Sequence, residues 1–280
     1  MNFFLHFIVF ILLSVIGYAQ PIAHLNIPYL SPSALEFDKE RNILDIYVPS
    51  SLPQKKEVII FVHGGKWKVG NKKTFRFIAK KFALHGIIGV VINYRLYPKV
   101  PTYQAMAMDC ANAVKWVYNH IEEYGGDKNR IYLYGHSAGG HLSALITSNN
   151  LFFDSLGMTN PVKGCVLLDP FGLNIENYLQ SPPKKDQWMY SIFTKNPTLW
   201  KQASPVNFVN ENTPDFLLLV GNKSKNKIKK DGKIFYEAIS KKKKKSRLVM
   251  LRGIGHLSII FQLKYTKHPL FREFIKFMNP

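Results

Sequence analysis

Glu57-Val-Ile-Ile-Phe-Val62 has no polar residue after its first position. Successive strand side chains point to opposite faces, so a strand that is apolar throughout must be covered on both sides. Ile87 to Tyr94, Ile131 to Tyr134, Gly164 to Asp169 and Asp215 to Val220 read the same way, and an earlier strand spans Asn42 to Val48. Helical stripes lie between them. Phe75, Ile78 and Phe82 share one face from Thr74 to His85, ended by Gly86; Met106, Cys110, Ala113, Val114, Val117 and Ile121 share another from Tyr103 to Tyr124, ended by Gly125-Gly126. A helix runs from the serine-bearing turn to about Thr147, a basic amphipathic helix covers Lys229 to Ser240, and Arg247 to Leu251 is the last strand. This alternation predicts an α/β fold, a mostly parallel central sheet with helices on both faces.

A chain of 280 residues, 46% hydrophobic, is long enough for one large core, so residues 20–280 are expected to form a single domain. Residues 171–214 break the rhythm with Pro182, Pro183, Pro197, Pro205 and Pro214 and carry Trp188, Phe193 and Trp200. They are expected to be a lid-like insertion at the catalytic end of the sheet, with plain packing of a helical insertion as the other reading. Residues 1–19 contain an uncharged apolar run closed by small residues. That is the pattern of a signal peptide cut after Ala19, implying an exported protein, secreted or periplasmic. An uncleaved N-terminal anchor is the competing reading.

The formal charge is +20, concentrated between Lys223 and Lys245 with a run from Lys241 to Lys245. No stacking aromatics interleave this run, so it reads as a solvated face with at most weak electrostatic contact with anionic surfaces, and not as a nucleic-acid site. Cys110 and Cys165 read as buried thiols. Neither a metal-ligand spacing nor a phosphate-binding glycine loop occurs, so no metal or cofactor is expected.

The chemistry gathers around Gly135-His-Ser137-Ala-Gly139, which follows the strand at 131–134 and opens a helix. Small neighbours let a serine sit in a sharp strand-to-helix turn, and the helix N-terminus favours negative charge beside it. His63-Gly64-Gly65 ends the strand 57–62, where unobstructed N–H groups of Gly64 and Gly65, with that of Ala138, can receive an oxyanion. His63 itself reads as a brace for the loop. His256, in Gly253-Ile-Gly255-His256, follows the last strand in a loop that glycine frees, and is the candidate base. His136 and His141 are expected to pack or hydrogen-bond locally.

Taken with Asn93-Tyr-Arg-Leu96, Asp109-Cys-Ala-Asn-Ala-Val-Lys-Trp116, Tyr124-Gly-Gly-Asp127 and Ala203-Ser-Pro205, these motifs resemble the carboxylesterase, feruloyl-esterase and arylformamidase group of α/β-hydrolases. The resemblance implies an α/β-hydrolase fold, serine as nucleophile and histidine last in chain order. Lys66 stands where the hormone-sensitive-lipase-like branch has a third glycine, a His-Gly-Gly-x-Trp form similar to arylformamidases that offers the Lys66 N–H as a further donor. Relatives usually carry the acid a few residues past a glycine after the next-to-last strand, but Gly221-Asn-Lys-Ser224-Lys225 has no carboxylate. Asp215 stands at the wrong end of that strand and Asp231 lies in the next helix. Asp169, ending the strand after the nucleophile, resembles the acid of pancreatic-type lipases and platelet-activating-factor acetylhydrolases. It is the expected orienting acid, with a Ser-His dyad or a turn-capping aspartate as the alternatives.

The expectation is a serine hydrolase cleaving small-molecule carboxylic esters, aryl or sugar esters among them, through an acyl-enzyme. The alternatives are an arylformamidase-type amidase and, because of the empty acid position, an inactive binding protein of the same fold.

Overall fold

The computed structural model describes residues 20–243, 245–264 and 269–278. The expected signal segment 1–19 lies outside the described residues, as does Lys244 of the lysine run. In chain order the elements are β1 (Ile22–Pro28), β2 (Ile43–Val48), β3 (Lys56–Val62), α1 (Lys72–Ala83), β4 (Ile88–Ile92), α2 (Tyr103–His120), β5 (Gly126–His136), α3 (Ala138–Ser148), α4 (Leu151–Asp154), β6 (Val162–Leu168), α5 (Ile175–Leu179), α6 (Tyr190–Phe193), β7 (Asp215–Gly221), α7 (Asn226–Ser240), β8 (Arg247–Leu251), α8 (Ser258–Phe261) and α9 (Pro269–Met278), with short 3₁₀ turns between some of them.

The strands form one eight-stranded sheet in the order β1-β2-β4-β3-β5-β6-β7-β8. β2 pairs antiparallel with β1 and β4, and the pairs from β4 through β8 are parallel. The proline-bearing lead-in therefore contains an edge strand, and the serine-bearing strand extends well beyond residues 131–134. Period-two alternation divides the core. Val58, Ile60 and Val62 face one layer with Met106, Cys110, Leu145 and Phe235 of α2, α3 and α7, while Ile59 and Phe61 face the other with Ile78, Phe82 and Phe274 of α1 and α9. Right-handed crossovers give this two-sided cover: β3 to β4 moves one way along the sheet and β4 to β5 the other, which places α1 and α2 on opposite faces. The reversal between β3 and β5 leaves a crevice at their C-terminal ends, where ligands of open α/β sheets bind.

Local signals set the boundaries. The Asn71 side chain accepts from the N–H of Lys73 at 2.9 Å and caps α1. Gly139 allows α3 to lie directly on β3, since a Cβ there would come within 2.2 Å of the Val62 carbonyl oxygen. Within the lysine run, Lys242 pairs with Glu211.

Candidate active site

Ser137 lies between β5 and α3 with φ 54° and ψ −118°, a conformation that costs an L-residue free energy of order 1–3 kcal/mol. Neighbouring strands hold it there. Its N–H donates to the Leu168 carbonyl at 3.1 Å, and its carbonyl accepts from the N–H groups of His141 and Phe171, each at 3.1 Å. The hydroxyl then sits at the end of the sheet against His256. Ser137 Oγ–H donates to His256 Nε2 at 2.9 Å, and His256 Nδ1–H donates to Asp169 Oδ2 at 3.0 Å. A carboxylate only accepts, so the second bond places the imidazole proton on Nδ1 and leaves the Nε2 lone pair for the serine proton.

Asp169 is fully buried at the end of β6 with φ 45°. Its Oδ1 accepts from the Gly221 N–H at 2.8 Å, and its Oδ2 also accepts from the Ser224 hydroxyl. The loop after β7 therefore supplies hydrogen-bond donors to a carboxylate that β6 provides. The loop after β8 is tied to the same place, because Lys223 N–H donates to the Ile254 carbonyl at 3.0 Å and Gly253 N–H to the Asn222 side chain at 2.8 Å. Sequence reasoning singles out Ser137, His256 and Asp169, and the structure brings them into one hydrogen-bonded chain. It does not anticipate Ser224, whose only sequence signal is its place in the segment that lacks the usual acid.

His136 is not confined to its own turn. Its Nε2–H donates to the His256 carbonyl at 3.1 Å, and the two rings stack at 5.0 Å. Burial, helped by the nearby His256, lowers its pKa to about 4, so it steadies the His256 loop as a neutral group near pH 7. His141 Nε2–H donates to the Ala203 carbonyl at 2.8 Å and ties α3 to the 171–214 insertion. His63 is a brace: it stacks on Tyr94 at 4.5 Å, and burial lowers its pKa to about 3. Arg95 and Asp109 form a buried pair at 2.7 Å that anchors the loop after β4 to α2.

The His63-Gly-Gly-Lys-Trp67 loop runs against Ser137, for a Cβ added to Gly64 would lie 3.1 Å from Ser137 Cβ. Lys66 and Trp67 both have positive φ, 55° and 58°, and the turn is closed by Lys68 and Val69 N–H donating to the Gly65 carbonyl at 3.0 Å each. The N–H groups of Gly64, Gly65 and Lys66 meet no acceptor among the described residues, and Ala138 contributes an unpaired N–H from the first turn of α3. Donors left free beside a nucleophile suit a developing oxyanion.

A cavity of about 270 Å³ opens over Ser137 and His256. Phe171, Trp188 and Met189 of the insertion form one wall and Trp67 and Ile228 others. Trp67 itself is buried, packed edge to face on Phe193 at 4.9 Å.

Residues 44–239 match the model of the BD-FAE family. The chain is 27% identical over 254 residues to a probable isoprenylcysteine alpha-carbonyl methylesterase of Arabidopsis thaliana, covering 84% of this chain and 52% of that protein. It spans 60% of each of two further Arabidopsis thaliana proteins of that description. It is 26% identical to kynurenine formamidase of Salmo salar, over 94% of this chain and 84% of that protein. Among solved structures, a truncated carbohydrate esterase from gut microbiota superposes with a TM-score of 0.77 at 22% identity, covering 93% of this chain and 98% of the other, a likeness of fold.

Proposed function

The chain belongs to the BD-FAE family, and on that footing we propose that it is a serine hydrolase that cleaves carboxylic esters through an acyl-enzyme. The observation that carries this reading is the continuous chain from Ser137 Oγ through His256 to Asp169, with bonds of 2.9 and 3.0 Å. Ser137 Oγ bonds to the ester carbonyl carbon as its proton passes to His256 Nε2, and the carbonyl electron pair moves onto oxygen. The N–H groups of Gly64, Gly65 and Ala138, with Lys66 as a further donor, receive that oxyanion. Asp169 holds the ring in its Nδ1–H tautomer and stabilises the imidazolium that forms. Collapse breaks the C–O bond to the alcohol, which leaves with the proton from Nε2. Water, deprotonated by the same nitrogen, then attacks the acyl carbon and releases the acid and Ser137.

The aromatic wall from Phe171 and Trp188 makes residues 171–214 the side of the pocket that selects the substrate, with aryl or sugar esters as the class proposed. The matched methylesterases and carbohydrate esterase support ester chemistry. A second reading, aryl-amide hydrolysis, is favoured by the His-Gly-Gly-Lys-Trp form and by the match to kynurenine formamidase along nearly the whole chain. The test is turnover of short para-nitrophenyl esters beside an N-formyl arylamine. The proposal expects ester hydrolysis that Ser137→Ala abolishes; an unchanged rate in that variant would remove Ser137 from the mechanism. The apolar N-terminal run supports export as the proposed location.

A further inference from the structure

The catalytic cavity is apolar inside and cationic at its mouth. Lys66, Lys185 and Lys225 line it, all three side chains are exposed, and none has an ion-pair partner among the described residues. They come from three separate elements, the oxyanion loop, the 171–214 insertion and the N-cap of α7, and so surround the opening instead of forming one solvated face. The lining carboxylate, Asp186, is already engaged: it accepts the Tyr178 hydroxyl, and the Lys227 ammonium lies over the Tyr178 ring. α7 strengthens the same field. Its 15 residues begin at the cavity with no side-chain cap and no acidic residue in the first turn, so nothing in that turn offsets the positive end of its dipole where Ile228 lines the pocket.

Resting on the esterase reading above, we propose that the substrate is an acidic ester: an apolar body against Trp67, Phe171 and Met189, and a negatively charged group at its outer end, held between Lys66, Lys185 and Lys225. A neutral substrate would leave these three cations with Asp186 as the one carboxylate among the described residues that line the cavity. An anionic one gains attraction in a partly desolvated mouth, where it is worth more than at an open surface.

The charge can belong to the acyl or the alcohol half, and two substrate pairs separate these. The acyl pair is para-nitrophenyl hydrogen adipate against para-nitrophenyl hexanoate; the alcohol pair is para-acetoxybenzoate against phenyl acetate. For each pair the ratio of kcat/KM, anionic over neutral, is compared between the natural protein, Lys185→Glu/Lys225→Glu, and Lys230→Glu/Lys233→Glu. The last variant changes net charge equally at exposed positions of α7 that do not line the cavity. The proposal expects the ratio to fall about tenfold or more for one pair in the mouth variant alone, since local charge governs capture of a charged substrate. Should that variant not fold, Lys185→Gln/Lys225→Gln is expected to lower the ratio about threefold. Ratios that stay constant for both pairs, or fall equally in the two charge-reversed variants, overturn it. Failure to turn over any of the four esters contradicts the esterase reading itself and removes the basis of this inference with it.

Discussion

Ser224 and His256 donate to the same oxygen of Asp169: Oδ2 receives the Ser224 hydroxyl and the His256 Nδ1–H, while Oδ1 receives the Gly221 N–H. Three donors satisfy a fully buried carboxylate, fix its plane and leave it no other orientation. The loop after β7 thus orients an acid that it does not itself contain.

Replacing Asp169 by Asn keeps the volume and removes the charge that stabilises the imidazolium and selects its tautomer. We expect kcat to fall on the order of 10³ to 10⁴-fold with the fold retained. Steady-state kinetics with circular dichroism checks this, and full activity in Asp169→Asn would leave a Ser-His dyad as the working unit.

Ser224→Ala removes one donor from Asp169 without touching Ser137 or His256. The buried oxygen keeps the His256 partner, so the expected stability loss is about 1–2 kcal/mol, read from urea denaturation. Orientation of His256 loosens as well, so kcat should fall several-fold with KM little changed, and Ser224→Thr should restore part of it. A purely structural role would lower stability and leave kcat where it was.

Ser137 holds φ 54° against its preference. Glycine adopts that conformation without a Cβ penalty, whereas alanine does not. Both substitutions abolish the nucleophile, but Ser137→Gly should be about 1 kcal/mol more stable than Ser137→Ala. Equal denaturation midpoints would mean that the turn stores no strain.

Much of the fold and of this site is legible in the sequence, for reasons that also explain the gaps. β3, β5, β6 and β7 are buried on both faces and carry continuous apolar runs. β1 does not, because most of its residues are exposed and hydrogen bonds to β2 hold it at the sheet edge, so no hydrophobic period marks it. The stripe of α9, Leu270, Phe271, Phe274 and Met278, is present in the sequence but lies beyond the last strand the alternation requires. Ser137 and His256 are readable because the chemistry proposed for them demands particular residues in a particular order. The turn proposed to receive the oxyanion is less so, since positive φ falls on Lys66 and Trp67, residue types that do not advertise it. Ser224 is silent because a hydroxyl bonded to a carboxylate far away in the sequence has no local pattern.

His136 and His141 are buried as neutral rings with pKa values lowered to about 4, and His63 to about 3, burial being the main cause in each. A histidine with a depressed folded pKa binds fewer protons than in the unfolded chain. Its contribution to stability is therefore intact above the unfolded value of about 6.5 and is lost as pH falls toward the folded value. Chemical denaturation should show stability falling steadily from pH 6.5 to about 4, by on the order of a few kcal/mol per ring, with a shallower slope in His141→Gln. A flat profile across that window would contradict neutral burial of these rings.

The central claim is that Ser137 is a nucleophile activated by His256. A fluorophosphonate forms a phosphorus–oxygen bond with an activated serine and expels fluoride, so intact mass followed by peptide mapping reads the claim directly. The account predicts one adduct per chain, on the peptide that holds Ser137, absent in Ser137→Ala and strongly slowed in His256→Ala. An unlabelled natural protein, or an adduct that persists in Ser137→Ala, would contradict it.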